Sequence, residues 1–499
     1  MRNALRFARA RNLLGPLSAT AQGVVRESAW LVGANVVQRG FGVLRGVIVA
    51  RLLAPADYGL LASILVAAFY LQTLELGVGW GTSRQIPLLR GRQKTADVDL
   101  LEREVFWWEL AVGLLVAAGL FAYILWVRPE PASHARAWLA LPLYVVAELL
   151  RNMLQCFLQA REEFARLRRS MVWQSVIDLA LAVILTWTWG LPGAAAALVL
   201  TSAGLVAYMM WNTRHTQIWK PARMPWPAFR LLVLAGLPLM LQNMLWINMT
   251  NVDKLVILSR LTTESLAFYS MAQTIAASVL LVAAAVSRVN GPMMVRRFGE
   301  TADPAALYGM SYRTIIILAY GLPVLVAGMW LLGPTFFSMV LPKYTASVPL
   351  LDLTGLTYYS MAITLGVSSL FVALGRQALN GALLLVGMVV TAGLSLLFIA
   401  IGWGVLGVAV ASAISACAYV TAFLALGLHM VGRRGRALGA DLARALLPLA
   451  AIVVFAACLT AAPKAGPVRT SLAAGILLAT TGIAGAGISH SLKRTRVEA

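Results

Sequence analysis

The sequence has little charge for its length and few of the residues that build metal or disulfide centres. Only 12% of its 499 residues are charged, and acids are scarcer than bases, 20 against 41. A chain of this composition cannot cover a soluble core with a charged surface, so an ordinary soluble domain is excluded. Three cysteines and four histidines lack the spacing of a disulfide framework or a metal site. We expect no metal and no cofactor.

Signals for nucleotide-driven or hydrolytic chemistry are missing as well. No Gly-x4-Gly-Lys-Ser/Thr loop is present to bind nucleotide phosphates, so an ATP drive would require another chain. The longest predicted outer loop, around 332–347, is too short for a catalytic domain. We therefore expect no enzyme, and a membrane glycan polymerase would need a much longer outer loop than this one.

Long apolar runs dominate the chain instead. It is 60% hydrophobic, with a mean hydropathy of +0.79. Because a helix of about 20 apolar residues crosses a bilayer, we predict an all-α polytopic membrane protein with fourteen transmembrane helices. The predicted spans are 29–51, 58–80, 105–127, 137–159, 171–190, 193–212, 229–253, 265–287, 307–330, 347–373, 378–400, 404–428, 442–461 and 468–489.

The basic residues indicate topology rather than a nucleic-acid partner. With the N-terminus in the cytoplasm, 29 of the 41 Lys and Arg residues fall in cytoplasmic tails and loops. This distribution follows the positive-inside rule and places both termini in the cytoplasm. The predicted parts are a basic tail 1–28, an N-lobe of six helices 29–212, a cytoplasmic linker 213–228, a C-lobe of six helices 229–428, a helix pair 429–489 and a tail 490–499.

One charged pattern occurs in both halves of the chain. Arg45-x5-Arg51-Leu52 in the first half matches Lys254-x5-Arg260-Leu261 in the second. Each copy lies late in an apolar segment and is followed by a short turn with an acid and then a tyrosine. Cations kept inside duplicated apolar segments favour a two-lobed transporter whose lobes face each other across a charged cavity.

The first span has one polar face. At 100° per residue, Asn35, Gln38, Arg39 and Arg45 share a wedge of about 120°. The two arginines stand about 9 Å apart along the helix axis, which suits a pyrophosphate group moving between two cations. The alternative is that they pair with acids on neighbouring helices, or that Arg45 reaches to the outer rim.

The seventh span repeats this arrangement. Gln242, Asn243, Thr250, Asp253 and Lys254 fall in a second wedge of about 120°. Asn248 and Asn251, by the same angles, fall outside it. Lys254 is the counterpart of Arg45, and we expect both to bind substrate. The alternative for Lys254 is local compensation by its neighbour Asp253.

Three further charges inside spans are candidates for transport. Arg313 is predicted to meet either a substrate anion or the phosphates of the inner leaflet. Asp178 and Asp352 have no cation within one helical turn, so each is a candidate for coupling transport to H⁺ or Na⁺. Their alternative is a structural ion pair with Arg39, Arg151 or Arg313 on another helix.

The remaining membrane charges have structural interpretations. Glu148 and Arg151 stand three residues apart, a spacing typical of a self-satisfied pair on one helix face. Glu75 and Glu109 lie near predicted span ends, and we expect them to reach the interface with water.

The run from Ala50 to Ala62, ARLLAPADYGLLA, resembles the signature of bacterial polysaccharide flippases in the multidrug/oligosaccharidyl-lipid/polysaccharide exporter superfamily. The matching run from Ser259 to Met271, SRLTTESLAFYSM, stands where the second lobe of that family begins. The resemblance extends over essentially the whole chain. It implies two parallel lobes that carry an undecaprenyl-pyrophosphate-linked oligosaccharide from the inner to the outer leaflet of the bacterial inner membrane.

The resemblance also implies a setting. The glycan would be built into O-antigen or exopolysaccharide, with membrane lipids, a polysaccharide polymerase and export machinery as partners. Relatives that flip the peptidoglycan precursor also place arginines on the first helix, so that substrate stays open. A cation-coupled multidrug extruder of the same superfamily is a further alternative, disfavoured because it usually has twelve spans and acids for cationic drugs.

Overall fold

The computed structural model of the protein describes residues 19–91, 93–127, 132–212, 218, 220, 222, 225–461, 471–476 and 478–482. Across these residues, every regular element is an α-helix or a short 3-10 helix. The 3-10 helices are Thr73–Glu75, Pro304–Leu307 and Pro342–Ser347. The longer helices up to residue 461 are α1 (Ala19–Leu52), α2 (Pro55–Gln72), α3 (Val78–Gly91), α4 (Thr95–Val127), α5 (Ala132–Trp138), α6 (Ala140–Ala160), α7 (Phe164–Asn212), α8 (Trp226–Met249), α9 (Val252–Arg260), α10 (Thr263–Ala276), α11 (Val279–Thr301), α12 (Tyr308–Val340), α13 (Val348–Ala373), α14 (Gln377–Ala400), α15 (Gly404–Met430) and α16 (Gly435–Ala461).

The protein is an all-helical polytopic membrane protein, as predicted, but the count of fourteen spans is not confirmed. In the part of the chain that the structure describes, ten helices are long and apolar enough to cross a membrane, or eleven if α10 and α11, bent by 44°, form one span. Helix α1 is outside this set because its arginines lower its hydropathy. The fourteenth predicted span shows a shorter helix, Ser471–Gly482, and its remaining residues lie outside the described part.

Helix α7 is a hairpin of two helices rather than one long rod. Gly190 has φ 61° and ψ −135°, a conformation that glycine adopts without steric cost. The Oγ1 atom of Thr201 lies 3.5 Å from Oδ1 of Asp178, although 23 residues of continuous helix would span about 35 Å. The chain therefore turns back at Gly190, and the two arms correspond to the predicted spans 171–190 and 193–212.

Two buried aromatic contacts illustrate how the helices pack. In the second half of the chain, α13 is buried along most of its length against α11, α12 and α15. There the hydroxyl of Tyr359 donates a hydrogen bond to the carbonyl of Ala319 at 2.7 Å. At the meeting of α2, α10 and the 3-10 helix Pro342–Ser347, the rings of Tyr58 and Tyr344 stand edge to face at 5.9 Å. The division into an N-lobe and a C-lobe stays a prediction.

The predicted pair of Glu148 and Arg151 is confirmed, and it forms part of a larger network. Nε of Arg151 donates to Oε2 of Glu148 at 2.8 Å, and the guanidinium also donates to Gln155 and Asn152. The hydroxyl of Ser202 donates to the same carboxylate at 2.9 Å and ties α7 to α6. Because Arg151 is buried, this network is needed to satisfy its charge.

We predict that Glu148→Leu destabilises the protein strongly, because it leaves the buried guanidinium of Arg151 without its acid. The expected loss is about 3 to 5 kcal/mol, measured as a lower melting temperature of the detergent-solubilised protein. The double variant Glu148→Leu/Arg151→Met should recover most of the loss. Equal instability of the double variant would show that the ion pair is not the cause. Asp97→Asn, at an exposed pair on α4, is the matched control.

Candidate functional site

A cavity of about 280 Å³ lies where α1, α2, α8, α9 and α10 meet. Of its lining residues in the described part of the chain, two are charged, Arg45 from α1 and Lys254 from α9. The two repeated cations of the sequence therefore line one space. The other walls are largely apolar, and the polar side chains among them are Tyr58, Tyr70, Asn251, Ser270 and Thr274.

Beside the cavity, α2 and α10 make a close backbone contact, here called the seal. A Cβ atom on Gly59 would stand 1.8 Å from the carbonyl oxygen of Thr263, so a side chain at position 59 would force the two helices apart. Thr262 caps α10, its Oγ1 accepting a hydrogen bond from the backbone N–H of Ser265 at 3.2 Å. This seal lies at the predicted outer end of both repeated hairpins.

Arg45 stands between the cavity and an acid on the neighbouring helix. Its Nε lies 3.4 Å from Oδ1 of Asp178, and its side chain is 17% exposed. The alternative of an ion pair with a neighbouring helix is thus realised in this structure. The contact is electrostatic only, since Nε of Arg45 is buried and finds no hydrogen-bond partner in the described part of the chain. Arg45 therefore retains donors for an anion.

Lys254 begins a helix just after a break in the chain. Helix α8 ends at Met249 and α9 begins at Val252, so Lys254 lies in the first turn of α9. Its neighbour Asp253 is buried and receives hydrogen bonds from the backbone N–H of Lys254 at 2.8 Å and from Ser412 at 3.3 Å.

Two more side chains complete the surroundings of Asp253. The amide of Gln273 lies 3.3 Å from its carboxylate, and the hydroxyl of Tyr269 donates to it. The carboxylate thus has neutral donors of its own, and the ammonium of Lys254 donates no hydrogen bond to the described residues. Asp253 compensates Lys254 through its nearby charge rather than by a direct bond, which leaves the ammonium facing the cavity.

The other predicted cations lie outside the cavity lining. Arg39 is exposed on α1, and Arg313 is exposed near the start of α12. Gln38 is half-buried and donates a hydrogen bond to Gln174 at 3.0 Å, so part of the polar face of α1 contacts α7. Asn35 on the same face is also half-buried.

Of the predicted polar face of the seventh span, only Lys254 lines the cavity, and it lies in α9. Gln242, Asn243 and Thr250 are half-buried, and none of them lines the cavity. Thr250 is used locally, its hydroxyl donating to the carbonyl of Ile247 at 2.9 Å. Asp352 lies in α13, where its side chain is buried.

Sequence reasoning missed Asn251, which does line the cavity. A helical wheel continued from α8 placed it outside the polar wedge, but α8 has already ended at Met249 and the angular phase changes before α9 begins. Asn251 instead stands between the two helices, where its amide donates to the carbonyl of Ile247 at 2.8 Å. A run of Asn and Thr at the end of an apolar span was the available signal for this break.

The site has the properties of an anion-binding site rather than of a catalytic or metal centre. Within the ranges that the structure describes, no group of three or more His, Cys, Asp or Glu side chains could hold a metal ion. Two cations at the edge of a largely apolar space can instead neutralise a phosphate or diphosphate.

Comparison with known proteins identifies a family for this chain. Residues 24–298 match the family model described as polysaccharide biosynthesis protein. No curated protein matches the chain significantly.

Solved structures of transporters share the fold. An inward-facing multidrug resistance MATE family transporter of the MOP superfamily superposes with a TM-score of 0.63 and 19% identity, covering 79% of this chain and 94% of that one. An outward-facing conformation of a MATE family transporter superposes with a TM-score of 0.55 and 19% identity, covering 82% of this chain and 95% of that one. These similarities establish a MATE-like fold. The chain belongs to the polysaccharide biosynthesis protein family.

Proposed function

We propose that the protein is a flippase that carries an undecaprenyl-pyrophosphate-linked oligosaccharide from the inner to the outer leaflet of the bacterial inner membrane. The observation that carries the proposal is the cavity in which Arg45 and Lys254, from corresponding positions of the two repeats, lie together. The family supports a lipid-linked glycan as substrate. Both termini would lie in the cytoplasm, and the glycan would pass to a polymerase and export machinery on the other side.

The cations address the main energetic obstacle to this transport. A diphosphate in hydrocarbon suffers a large desolvation cost, and opposite charges held in place by the protein offset much of it. Arg45 and Lys254 would each supply one positive charge to the two phosphates. The space of about 280 Å³ is at the small end of ligand sites, so in this state it suits the diphosphate rather than the glycan.

Arg39 and Arg313 would act before the substrate reaches the cavity. Both are exposed, so they are available to lipid headgroups in the inner leaflet. Arg39 lies on the helix that carries Arg45, about 9 Å towards the predicted cytoplasmic side. A diphosphate could therefore pass from Arg39 to Arg45 without leaving the neighbourhood of a cation.

Alternating access would then require the lobes to part at the seal. The contact of Gly59 with Thr263 would have to open for the glycan to leave outward, while the polyprenyl tail stays in lipid. Asp178 would compete with the diphosphate for Arg45 and so favour release. Asp178 and Asp352 remain proposed sites for H⁺ or Na⁺ coupling, and Asn35, Gln38, Gln242, Asn243, Thr250 and Asp253 remain proposed polar positions of the wider cavity.

A multidrug extruder is the second candidate, since the structural neighbours are multidrug transporters. The cavity argues against it, because Arg45 and Lys254 would repel the cationic compounds that such transporters would need to hold. A flippase for the peptidoglycan precursor would use the same diphosphate chemistry, and rescue of cells that lack that activity would favour it.

We predict that Arg39→Ala, Arg45→Ala and Lys254→Ala each abolish glycan export while the protein still inserts in the membrane. The physical reason is the loss of a charge that offsets diphosphate desolvation. The measurement is the lipid-linked glycan that accumulates on the inner leaflet of a deletion strain carrying each variant. Lys343→Ala, an exposed cation outside the cavity, is the matched control and should export normally. Normal export by Arg45→Ala and Lys254→Ala at normal expression would contradict the proposed site.

We also predict that inorganic pyrophosphate raises the melting temperature of the purified protein, and that Asp178→Asn increases the effect. The substitution removes the acid that competes for Arg45, so the guanidinium becomes more available to the anion. The apparent affinity should rise by roughly fivefold to tenfold, about 1 kcal/mol or slightly more. An unchanged affinity in Asp178→Asn would show that the ion pair does not compete with the ligand.

A further inference from the structure

Two glutamates outside the cavity lie together in the first half of the chain. Glu75 ends the 3-10 helix that follows α2, and Glu109 lies in α4. A Cβ atom on Gly79 of α3 would stand 3.1 Å from Oε2 of Glu75 and 3.8 Å from Oε1 of Glu109. The two carboxyl groups therefore face each other across one small space, and Glu109 is buried in the protein instead of reaching the interface with water as expected from the sequence.

Glu109 is fully buried, with 0% of its surface exposed. Neither of its oxygens accepts a hydrogen bond in the structure described. Among the residues that the structure describes, the other titratable neighbours of the pair offer no compensating charge. Cys156 on α6 faces the pair, and Arg151 beyond it is already bound to Glu148. On the side of α8, the ring of Phe229 lies 4.4 Å from the ring of Trp108, whose Nε1 donates a hydrogen bond to the backbone carbonyl of Glu75.

Two carboxylates in such a place cannot both carry a charge. Their repulsion and the loss of hydration together favour a state in which at least one proton is bound between them. We propose that Glu75 and Glu109 form a proton-binding site that couples transport to the proton gradient, an inference that rests on the proposed transport function. The proton bridges the two carboxyl groups as an O–H donor from one to the other. Glu75, which is only partly buried, is the group through which it enters.

The site stands at a break that contacts a helix of the cavity. Directly after Glu75 the backbone turns through Leu76 at φ 59° and Gly77 at φ 76°. The turn is pressed against α8, since a Cβ atom on Gly236 would lie 1.9 Å from the carbonyl oxygen of Gly77. Loss of the shared proton would create repulsion at this turn, and α8 leads from the contact towards Lys254. A change of protonation at the two glutamates would therefore shift α8 and, through it, the cavity.

The test is infrared difference spectroscopy of the full-length protein in lipid vesicles over a pH series. The wild type should show a carbonyl band of a protonated carboxylic acid that shifts in deuterated water and disappears on deprotonation. Glu109→Gln and Glu75→Gln should each remove this band or replace it by that of a lone acid. Asp97→Asn, on α4 but exposed, should leave it unchanged. A wild-type band that persists unchanged in both Gln variants would overturn the proposal.

Two further measurements separate the proton site from the transport function. Sodium added at constant pH should not remove the band, and its removal by sodium would overturn the assignment to a proton. In the flipping assay with wild-type protein, an imposed pH gradient should change the steady-state ratio of substrate between the two leaflets. For one coupled proton the change is about tenfold per pH unit. Glu109→Gln should lose that response while keeping the pyrophosphate-induced thermal shift, and a retained response would overturn the coupling role. Failure of the flippase proposal would instead appear as wild-type protein with the band but without flipping.

Discussion

The cost of an uncompensated charge in the membrane interior governs the arrangement of this protein. Arg151 is held by Glu148 and neutral amides, and Asp253 is surrounded by hydroxyl, amide and backbone donors. The charges with looser arrangements are Arg45, which has an ion pair without a hydrogen bond, and Lys254, whose nearest acid is occupied. The two cations without full compensation therefore lie at the cavity, where a bound anion would supply it, and Glu109 is the corresponding acid away from the cavity.

Close glycine contacts determine which parts of the helices can meet. Gly59 lets α2 approach the backbone of Thr263 at one end of the cavity, and Gly77 and Gly236 let α3 and α8 touch elsewhere. Such contacts require little side-chain rearrangement to form or break, because no interdigitated side chains have to separate. They are suitable hinges and seals for helices that move against each other. The energetic cost of opening would then arise mainly at the aromatic cluster around Tyr344.

The sequence pattern was sufficient to predict some of these structural features and insufficient to predict others. The helical class and the pairing of Arg45 with Lys254 in one cavity follow from apolar length and an internal repeat, both of which are visible along the chain. Asn251 was not predicted to line the cavity, because a helical wheel assumes a continuous helix and this helix ends at Met249. The contact of Glu75 with Glu109 depends on how α4 packs against the turn after α2, which no local spacing encodes.

The size of the cavity has a mechanistic consequence. A space of about 280 Å³ is too small to hold a diphosphate and an oligosaccharide together. If the proposed lipid-linked glycan is the substrate, its diphosphate and its glycan would be held at different places or in different conformations. If the diphosphate is the part recognised by Arg45 and Lys254, the glycan contributes mainly through its size once the lobes separate. Selectivity among glycans would then be weak at this site, and the identity of the exported polymer would be decided by the enzymes that build and join the units.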